Sequence, residues 1–196
     1  PGAMPKVSPA KNVEEDLARR DFTVNAMAAP LDPARSGEII DPHGGLDDLE
    51  DRILRVIHDL SFTDDPTRIL RGLRFNARLS FDFESRTASL AGAAIENYCF
   101  NTVSGARIRK ELRASLEEPS RAGIINELNR MDIDGALVPG LNLHARLMEP
   151  VDKVAASAAA LTSGPEPFDF EPWTTYLLAS AWGADGETLE ALAHRI

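Results

Sequence analysis

Cysteine is almost absent from this chain of 196 residues, which contains Cys99 and no other. A single cysteine excludes an intrachain disulfide and any zinc site built from clustered cysteines. The four histidines also lie too far apart for the short spacing of a helical metal site, at His43, His58, His144 and His194. No apolar run approaches the roughly 18 residues that cross a bilayer. These absences predict a protein without a membrane partner, and the cytoplasm is the expected location.

The composition predicts a folded protein with one sizeable core or two small ones, because 43% of the residues are hydrophobic and 27% are charged. The net charge of −10 argues against a nucleic-acid partner. However, the stretch from Arg68 to Arg113 contains nine Lys/Arg and only four Asp/Glu. A basic stretch in an acidic chain suggests one anion-binding face, but on charge alone a solvated helix surface is the better explanation.

The hydrophobic pattern predicts a small mixed α/β piece up to about residue 60, followed by an all-helical region. Short strands are predicted over 38–41 and 53–57, where β-branched residues and turn signals occur. Apolar periodicity, capping residues and prolines predict the helices. Their ranges are 14–29, 66–79, 86–98, 105–117, 120–131, 151–161, 173–182 and 187–195.

The helix predicted to follow Asp65 carries a row of arginines. At 3.6 residues per turn, Arg71, Arg74 and Arg78 fall with Arg68 in one arc of roughly 120°, and apolar residues fill the opposite side. Guanidinium groups suit phosphate oxygens and base edges, and a carboxylate beside them adds an acceptor. The alternative is that Asp65 caps the helix while the arginines are solvated or paired with nearby acids.

A second polar segment, Arg19–Met27, crowds two arginines, an acid and an amide around Phe22. Such a segment is able to hold a triphosphate and a ribose, and it is equally compatible with a salt-bridged surface helix. Neither segment alone decides between these explanations, but both resemble motifs of the same protein family.

Four motifs resemble those of class II tRNA nucleotidyltransferases (CCA-adding enzymes) and bacterial poly(A) polymerases, in the family's order. Residues Arg20–Ala26 (RDFTVNA) resemble the RRDFT-x-NA motif, and Asp41–Leu49 (DPHGGLDDL) resembles the flexible D-x-x-GG-x-x-DL element. Residues Asp64–Arg71 (DDPTRILR) resemble the base-selecting ED-x-x-R-x-x-R motif, with Asp64 where the family usually has Glu. Residues Ala106–Leu112 (ARIRKEL) are similar to the later R-I-x-x-EL helix.

The resemblance implies a role for each matching residue. By this resemblance, Arg20 and Asp21 are expected to contact the ribose and phosphates of the incoming nucleotide. Asp65 and Arg68 are expected to select the base without a template. The implied nucleotide-binding residues are Arg20, Asp21, Asp64, Asp65, Arg68, Arg71 and Arg74. The implied RNA-binding residues are Arg78, Arg107, Arg109 and Lys110.

The family's catalytic metal site has no counterpart in this sequence. The family uses a Gly-Ser turn and a D-x-D pair that holds two Mg²⁺ ions about 3.5–4 Å apart, and both precede the RRDFT motif. The one Asp-x-Asp here, Asp132-Ile133-Asp134, lies beside Gly135 and is better explained by a turn. The resemblance therefore implies a fragment without catalytic or metal residues, inactive by itself, whose intact parent uses Mg²⁺.

The expected fold is mainly α, a helical neck and body with a small α/β remnant of the nucleotidyltransferase palm at the N-terminus. The expected domains are the C-terminal part of the head (1–60), the neck (61–140) and the start of the body (141–196). CTP or ATP and the 3′ end of tRNA or another RNA are the implied substrates and partners. A non-catalytic RNA-binding module and a purely structural helical domain remain as alternatives. The sequence does not distinguish CC, A, CCA and poly(A) addition.

Overall fold

The computed structural model describes residues 9–161 and 171–196, with the side chains of 158–161 left out. The chain divides into two compact units, residues 1–103 and 104–196. Helices dominate both, and the first unit also contains two short strands. This architecture confirms the prediction of a mainly α protein with a small α/β portion near the N-terminus.

The first unit places short helices around a two-stranded sheet. Its α-helices are α1 (Val13–Ala18), α2 (Gly45–Glu50), α3 (Ser61–Asp64), α4 (Thr67–Leu79) and α5 (Ser85–Glu96). Its strands are β1 (Ile53–Leu54) and β2 (Asp82–Phe83), which pair in parallel with Ile53 opposite Asp82. Single turns of 3₁₀ helix occur at Thr23–Asn25, Pro33–Arg35 and Cys99–Thr102.

Phe22 lies at the centre of the first unit's core and is fully buried. Its ring packs edge-on against Phe75 of α4 at 6.0 Å and tilted against Phe83 of β2 at 6.2 Å between centroids. Leu54, Phe62, Ile69, Leu70 and Leu73 are also buried in this unit. Residue Phe22 therefore anchors the segment that carries Asp21 to the helix that carries the arginines.

The helix predicted over 14–29 is wrong beyond its first turns, because α1 ends at Ala18. Phe22 has extended backbone dihedrals and pairs with Val56 in an isolated antiparallel bridge. The backbone N–H of Phe22 donates to Asn25 Oδ1 at 3.1 Å, and that of Thr23 donates to the Arg55 carbonyl at 2.9 Å. One local side-chain bond and one bond to a distant strand segment thus replace the helical ladder that local propensity favours.

The arginine-bearing helix α4 begins at Thr67, directly after Pro66, whose dihedrals are already helical. Ile69, Leu70 and Leu73 are buried, which confirms the apolar face expected from the sequence. The helix ends at Leu79, the capping residue Ser80 adopts left-handed dihedrals (φ 56°), and Phe81 then leads into β2.

The described residues of the second unit form helices joined by loops, without a strand among them. It contains α6 (Gly105–Leu116), α7 (Arg121–Arg130), α8 (Ile133–Leu137), α9 (Met148–Leu161), α10 (Pro172–Ser180) and α11 (Gly186–Arg195). Ile108, Leu112, Ile124, Ile125 and Leu128 form its buried centre together with Tyr176. Burial raises the pKa of the Tyr176 hydroxyl to about 12, so this side chain stays neutral in the core.

Over the residues that the structure describes, no helix combines the length and the apolar character that crossing a membrane requires.

Candidate nucleotide-binding site

Helix α4 presents Arg68 and Arg71 next to the Asp21 segment in the first unit. Both arginines have most of their side-chain surface covered, with 12% and 23% left exposed. They lie on the side of α4 away from the buried face of Ile69, Leu70 and Leu73. Covered guanidinium groups need acceptors, and two carboxylates supply them.

Arg71 joins the two carboxylates Asp21 and Asp65. Its Nε donates to Asp21 Oδ2 at 2.7 Å, and its Nη2 donates to Asp21 Oδ1 at 2.9 Å. Nη2 also donates to Asp65 Oδ2 at 3.3 Å. The parallel pair of bonds to Asp21 is the bidentate geometry in which an arginine fixes a carboxylate most firmly. Residues separated by 50 positions in the chain are thereby held together.

Arg68 is held by oxygens from three parts of the first unit. Its Nη2 donates to the Arg19 carbonyl at 3.1 Å, and its Nη1 donates to Ser61 Oγ at 3.3 Å. Its Nε lies 3.5 Å from Asp21 Oδ1, a distance at which charges attract but no aligned hydrogen bond forms. The cluster of Asp21, Asp65, Arg68 and Arg71 is called the base-site cluster below, and its formal charges cancel.

Asp65 performs the helix-capping role that the sequence left open as an alternative. Its Oδ1 accepts from the Thr67 backbone N–H at 3.1 Å at the start of α4. Because its Oδ2 accepts from Arg71, the same carboxylate also braces an arginine. Asp65 therefore caps the helix and braces an arginine at the same time, since a carboxylate has several acceptor positions. Its contact with a nucleotide base stays a prediction.

Sequence reasoning missed two buried hydroxyls beside the base-site cluster, Ser61 and Thr67. Thr67 Oγ1 donates to Asp65 Oδ1 at 2.6 Å and accepts from Arg71 Nη1 at 3.1 Å. The Asp-Pro-Thr spacing is a recognisable signal for Thr67, because side chains at a helix start bond to groups two or three residues away. Ser61, seven residues before Arg68, gives no comparable signal.

A buried carboxylate positions the segment that carries Asp21. Asp48 of α2 is 4% exposed, and its Oδ2 accepts from Thr23 Oγ1 at 2.6 Å. Arg55, just after β1, donates to both Asp48 oxygens at 3.0–3.1 Å, and hydrogen bonding to Asp48 raises the pKa of the Arg55 guanidinium. Since Thr23 is two residues after Asp21, this network holds the Asp21 segment in place beside α2 and the end of β1.

The flexible element predicted at Asp41–Leu49 contains a turn closed by Asp41. Its carboxylate accepts from the backbone N–H of Gly45 at 2.7 Å and of Leu46 at 2.9 Å. Burial raises the pKa of the Asp41 carboxyl, but hydrogen bonds from Leu46, Gly45 and His43 outweigh it, so the pKa lies below its ordinary value. Asp41 therefore ties the turn to the start of α2.

The other predicted nucleotide-binding residues, and Arg78 from the predicted RNA-binding set, lie next to members of the base-site cluster in the chain or further along α4. Arg20 is 52% exposed and pairs with Asp16 of α1 at 2.5 Å. Asp64 is exposed at the end of α3, and Arg74 is partly covered one turn after Arg71 on α4. Arg78 is exposed and lies 5.6 Å above the Phe75 ring. The structure thus brings four of the seven predicted nucleotide-binding residues into direct contact.

The remaining predicted RNA-binding residues belong to α6 in the second unit. Arg107, Arg109 and Lys110 are all exposed there, while Ile108 between them is buried. This alternation orients the basic side chains toward solvent on one helix.

Among residues 9–161 and 171–196, no group of three or more His, Cys, Asp or Glu side chains is arranged to hold a metal ion. The Asp-x-Asp pair in the second unit has a structural role: Asp134 is 5% exposed, and its Oδ2 accepts from the Leu143 backbone N–H at 3.1 Å. Asp132 starts α8 with left-handed dihedrals. Both observations agree with the turn explanation given by the sequence.

Residues 2–55 match the family model of the poly A polymerase head domain. An A-adding tRNA nucleotidyltransferase of Halalkalibacterium halodurans is 42% identical over 141 residues, which cover 70% of this chain and 33% of that protein. A multifunctional CCA protein of Xylella fastidiosa is 37% identical over 144 residues, covering 72% of this chain and 34% of that protein. The chain thus spans about a third of the length of these curated relatives.

Solved structures of CCA-adding enzymes share the fold of the chain. One, a complex with CTP, superposes with a TM-score of 0.81 at 33% identity. The match covers 93% of this chain and 43% of the chain in that structure. The Thermotoga maritima CCA-adding enzyme in complex with tRNA superposes with a TM-score of 0.76 at 33% identity, over 93% of this chain and 44% of its own.

Proposed function

Since this chain belongs to the class II CCA-adding tRNA nucleotidyltransferase family, we propose that it supplies nucleotide selection to an enzyme that adds CMP or AMP to RNA 3′ ends. In that reaction the RNA 3′-hydroxyl attacks the α-phosphate of CTP or ATP, and the bond to the leaving pyrophosphate breaks. The base-site cluster selects the base, and the 3′ end of a tRNA is the acceptor. The cytoplasmic location expected from the sequence remains part of the proposal.

The observation that carries the proposal is the direct contact of Asp21, Asp65, Arg68 and Arg71. Two carboxylates and two guanidiniums give this cluster no net charge, so it attracts a triphosphate weakly. It does offer donors and acceptors side by side, which suits the neutral hydrogen-bonding edge of a base. Phosphate contacts then fall to cations around the cluster, among them Arg20 and Arg74.

The proposal also includes Mg²⁺ as the metal ion of the intact enzyme and a division of this chain into three domains. Mg²⁺ is expected to assist phosphoryl transfer in the intact enzyme, and the described residues of this chain contain no group of three or more His, Cys, Asp or Glu side chains to hold it. We propose residues 1–60 as head, 61–140 as neck and 141–196 as the start of the body, and the head-domain match over 2–55 supports the first of these.

Equilibrium binding of ATP, CTP, GTP and UTP to the chain tests the proposal. We expect tighter binding of ATP and CTP, and we expect Arg68→Ala to reduce that preference more than it reduces RNA binding. Arg86→Ala is the matched control, because Arg86 lies in the same unit, is 69% exposed and pairs with Asp59 away from the cluster. Equal affinity of the unaltered chain for all four nucleotides would contradict the proposal.

A non-catalytic RNA-binding module is the second candidate, favoured by the exposed basic side chains Arg107, Arg109 and Lys110 on α6. The same experiment separates the two functions. An RNA-binding module that uses α6 binds RNA without preferring any mononucleotide, and Arg68→Ala, which lies outside α6, then leaves its RNA binding unchanged.

A further inference from the structure

Two buried hydroxyl groups lie directly behind the base-site cluster. Ser61 of α3 is 0% exposed and Thr67 at the start of α4 is 1% exposed. Ser61 contacts Arg68, and Thr67 contacts both Asp65 and Arg71. Neither hydroxyl belongs to the residues that the family motif assigns to nucleotide binding.

The direction of the Thr67 hydrogen bonds follows from the chemistry of its neighbours. A guanidinium only donates, so Thr67 Oγ1 must accept from Arg71 Nη1 at 3.1 Å. The single hydroxyl proton is then available for Asp65 Oδ1, which lies 2.6 Å away. The backbone N–H of Thr67 donates to the same oxygen at 3.1 Å. Residue Thr67 therefore directs two donors at Oδ1 of Asp65.

These bonds determine what Asp65 offers to a ligand. With Oδ1 bound to Thr67 and Oδ2 bound to Arg71 at 3.3 Å, the plane of the carboxylate is fixed. An ionised carboxylate accepts hydrogen bonds and never donates one. An acceptor of this kind suits the amino group that cytosine and adenine carry, and it repels the carbonyl that guanine and uracil carry at the same place.

We propose that Thr67 is a positioning residue for base selection, because its hydroxyl fixes Asp65 as an oriented acceptor. Ser61 has the parallel, smaller role of accepting from Arg68 Nη1 and steadying the donor half of the same edge. The inference rests on the proposed nucleotide-selecting function and names the residue that makes the site prefer ATP and CTP over GTP and UTP.

Thr67 also has a plain capping role, since it opens α4 beside the capping carboxylate of Asp65. If Thr67 only caps the helix, its substitution lowers the stability of the first unit and weakens the binding of all four nucleotides alike. A residue that orients Asp65 changes the ratio of affinities between nucleotides. The ratio of affinity for ATP and CTP to affinity for GTP and UTP is therefore the decisive quantity.

The test measures this ratio by equilibrium binding to the chain and three variants. Thr67→Val keeps the branched shape and removes the hydroxyl, and we expect it to lower the ratio about tenfold, as loss of a hydrogen bond to a charged group implies. Thr67→Ser restores the hydroxyl and is expected to restore most of the ratio. Thr87→Val is the control, because Thr87 is equally buried and its hydroxyl contacts Val56 and Glu84 outside the cluster.

An unchanged ratio in Thr67→Val overturns the inference while leaving the proposed function intact. Absence of any preference in the unaltered chain overturns the proposed function, and the inference falls with it. Asp65→Asn supplies a second measurement that does not depend on the folding of Thr67→Val. Thr67 then binds the amide oxygen, and the NH₂ takes the place of Oδ2, where it loses the hydrogen bond from Arg71 and offers donors in place of an acceptor. The preference is expected to move toward GTP and UTP; no movement contradicts the positioning role.

Discussion

At the scale of single residues, Arg71 determines how the two acidic side chains of the base-site cluster are held. It spans Asp21 with two parallel bonds of 2.7 and 2.9 Å and reaches Asp65 at 3.3 Å. A lysine keeps the charge but has a single, mobile donor group in place of the planar fork. The geometry of Arg71, and not its charge alone, therefore organises the site.

We accordingly predict that Arg71→Lys lowers the free energy of unfolding by about 1–2 kcal/mol, since charge-assisted bidentate bonds are lost while the charge remains. Urea denaturation of the chain measures the change. Arg86→Lys is the control, because both Arg86 and Asp59 are largely exposed and solvent screens their pairing, so little change is expected. An equally small effect at Arg71 would show that its bonds to Asp21 add nothing to stability.

The sequence predicted the residue types of this cluster but not their partners. The motif resemblance named Asp21, Asp65, Arg68 and Arg71, and the structure places all four in contact. Which arginine binds which acid depends on a contact between residues 50 positions apart. Helical periodicity and motif spacing say nothing about contacts between residues so far apart in the sequence. The pairing of Arg71 with Asp21 is therefore seen only in the folded chain.

At the scale of elements, Gly72 permits the close packing of α4 against the sheet. A β-carbon at this position would lie 2.5 Å from Phe83 Cζ and 2.9 Å from Phe22 Cζ. Both rings belong to the core that connects the Asp21 segment with α4 and β2. The bare backbone of Gly72 therefore lets the arginine-bearing helix approach the aromatic core.

We predict that Gly72→Ala destabilises the chain by about 1–3 kcal/mol, the usual cost of overpacking a core. Gly92→Ala is a matched control on α5, where a β-carbon meets nothing within 4 Å. This second substitution is expected to raise stability by about 0.5–1 kcal/mol through helix propensity alone. Thermal unfolding of both variants checks the pair, and a stabilising Gly72→Ala would mean that the aromatic rings yield without cost.

The start of α2 depends on the Asp41 carboxylate, which gives a pH-dependent prediction. Because its folded pKa lies below the ordinary value of 3.8, Asp41 stabilises the folded chain above that value. The stabilisation is lost as the pH falls through the folded pKa. We predict that Asp41→Ala lowers the free energy of unfolding by about 1 kcal/mol at neutral pH and that the difference from the unaltered chain shrinks in acid.

Urea denaturation at several pH values measures this difference. Asp51→Ala is the control, because Asp51 is an exposed acid that follows the other end of α2, so it is expected to have little effect at any pH. A difference for Asp41→Ala that persists unchanged in acid would contradict the assignment of the lowered pKa to the closing of this turn.

Long amphipathic helices were predicted from the sequence more accurately than the segment around Phe22. The helices predicted at 86–98, 105–117 and 120–131 correspond to Ser85–Glu96, Gly105–Leu116 and Arg121–Arg130. In contrast, Phe22 leaves the predicted helix to pair with Val56, and the one-turn α8 was not anticipated. Repeated apolar positions encode a helix face locally, whereas a bridge between distant segments is decided by tertiary packing.

At the scale of the whole molecule, charge is distributed very unevenly. The chain has a net charge of −10, yet the stretch from Arg68 to Arg113 is basic and includes most of α6. Arg109 and Lys110 are exposed on that helix in the second unit. RNA affinity then rests on few phosphate contacts, and the surrounding acidic surface opposes it through long-range repulsion.

We therefore predict weak RNA binding that declines steeply with salt, measured by titrating a labelled single-stranded RNA at two or more KCl concentrations. Replacing Arg109 and Lys110 together by alanine is expected to weaken binding and to reduce the slope of log affinity against log salt by about 1.4, the share of two phosphate contacts. Alanine at Arg130 and Lys153 removes the same two charges from exposed side chains that pair with Glu127 and Glu149. Because this control alters the net charge equally, a slope that falls to the same extent in both double variants would attribute RNA binding to overall charge and remove α6 from the proposed RNA contact.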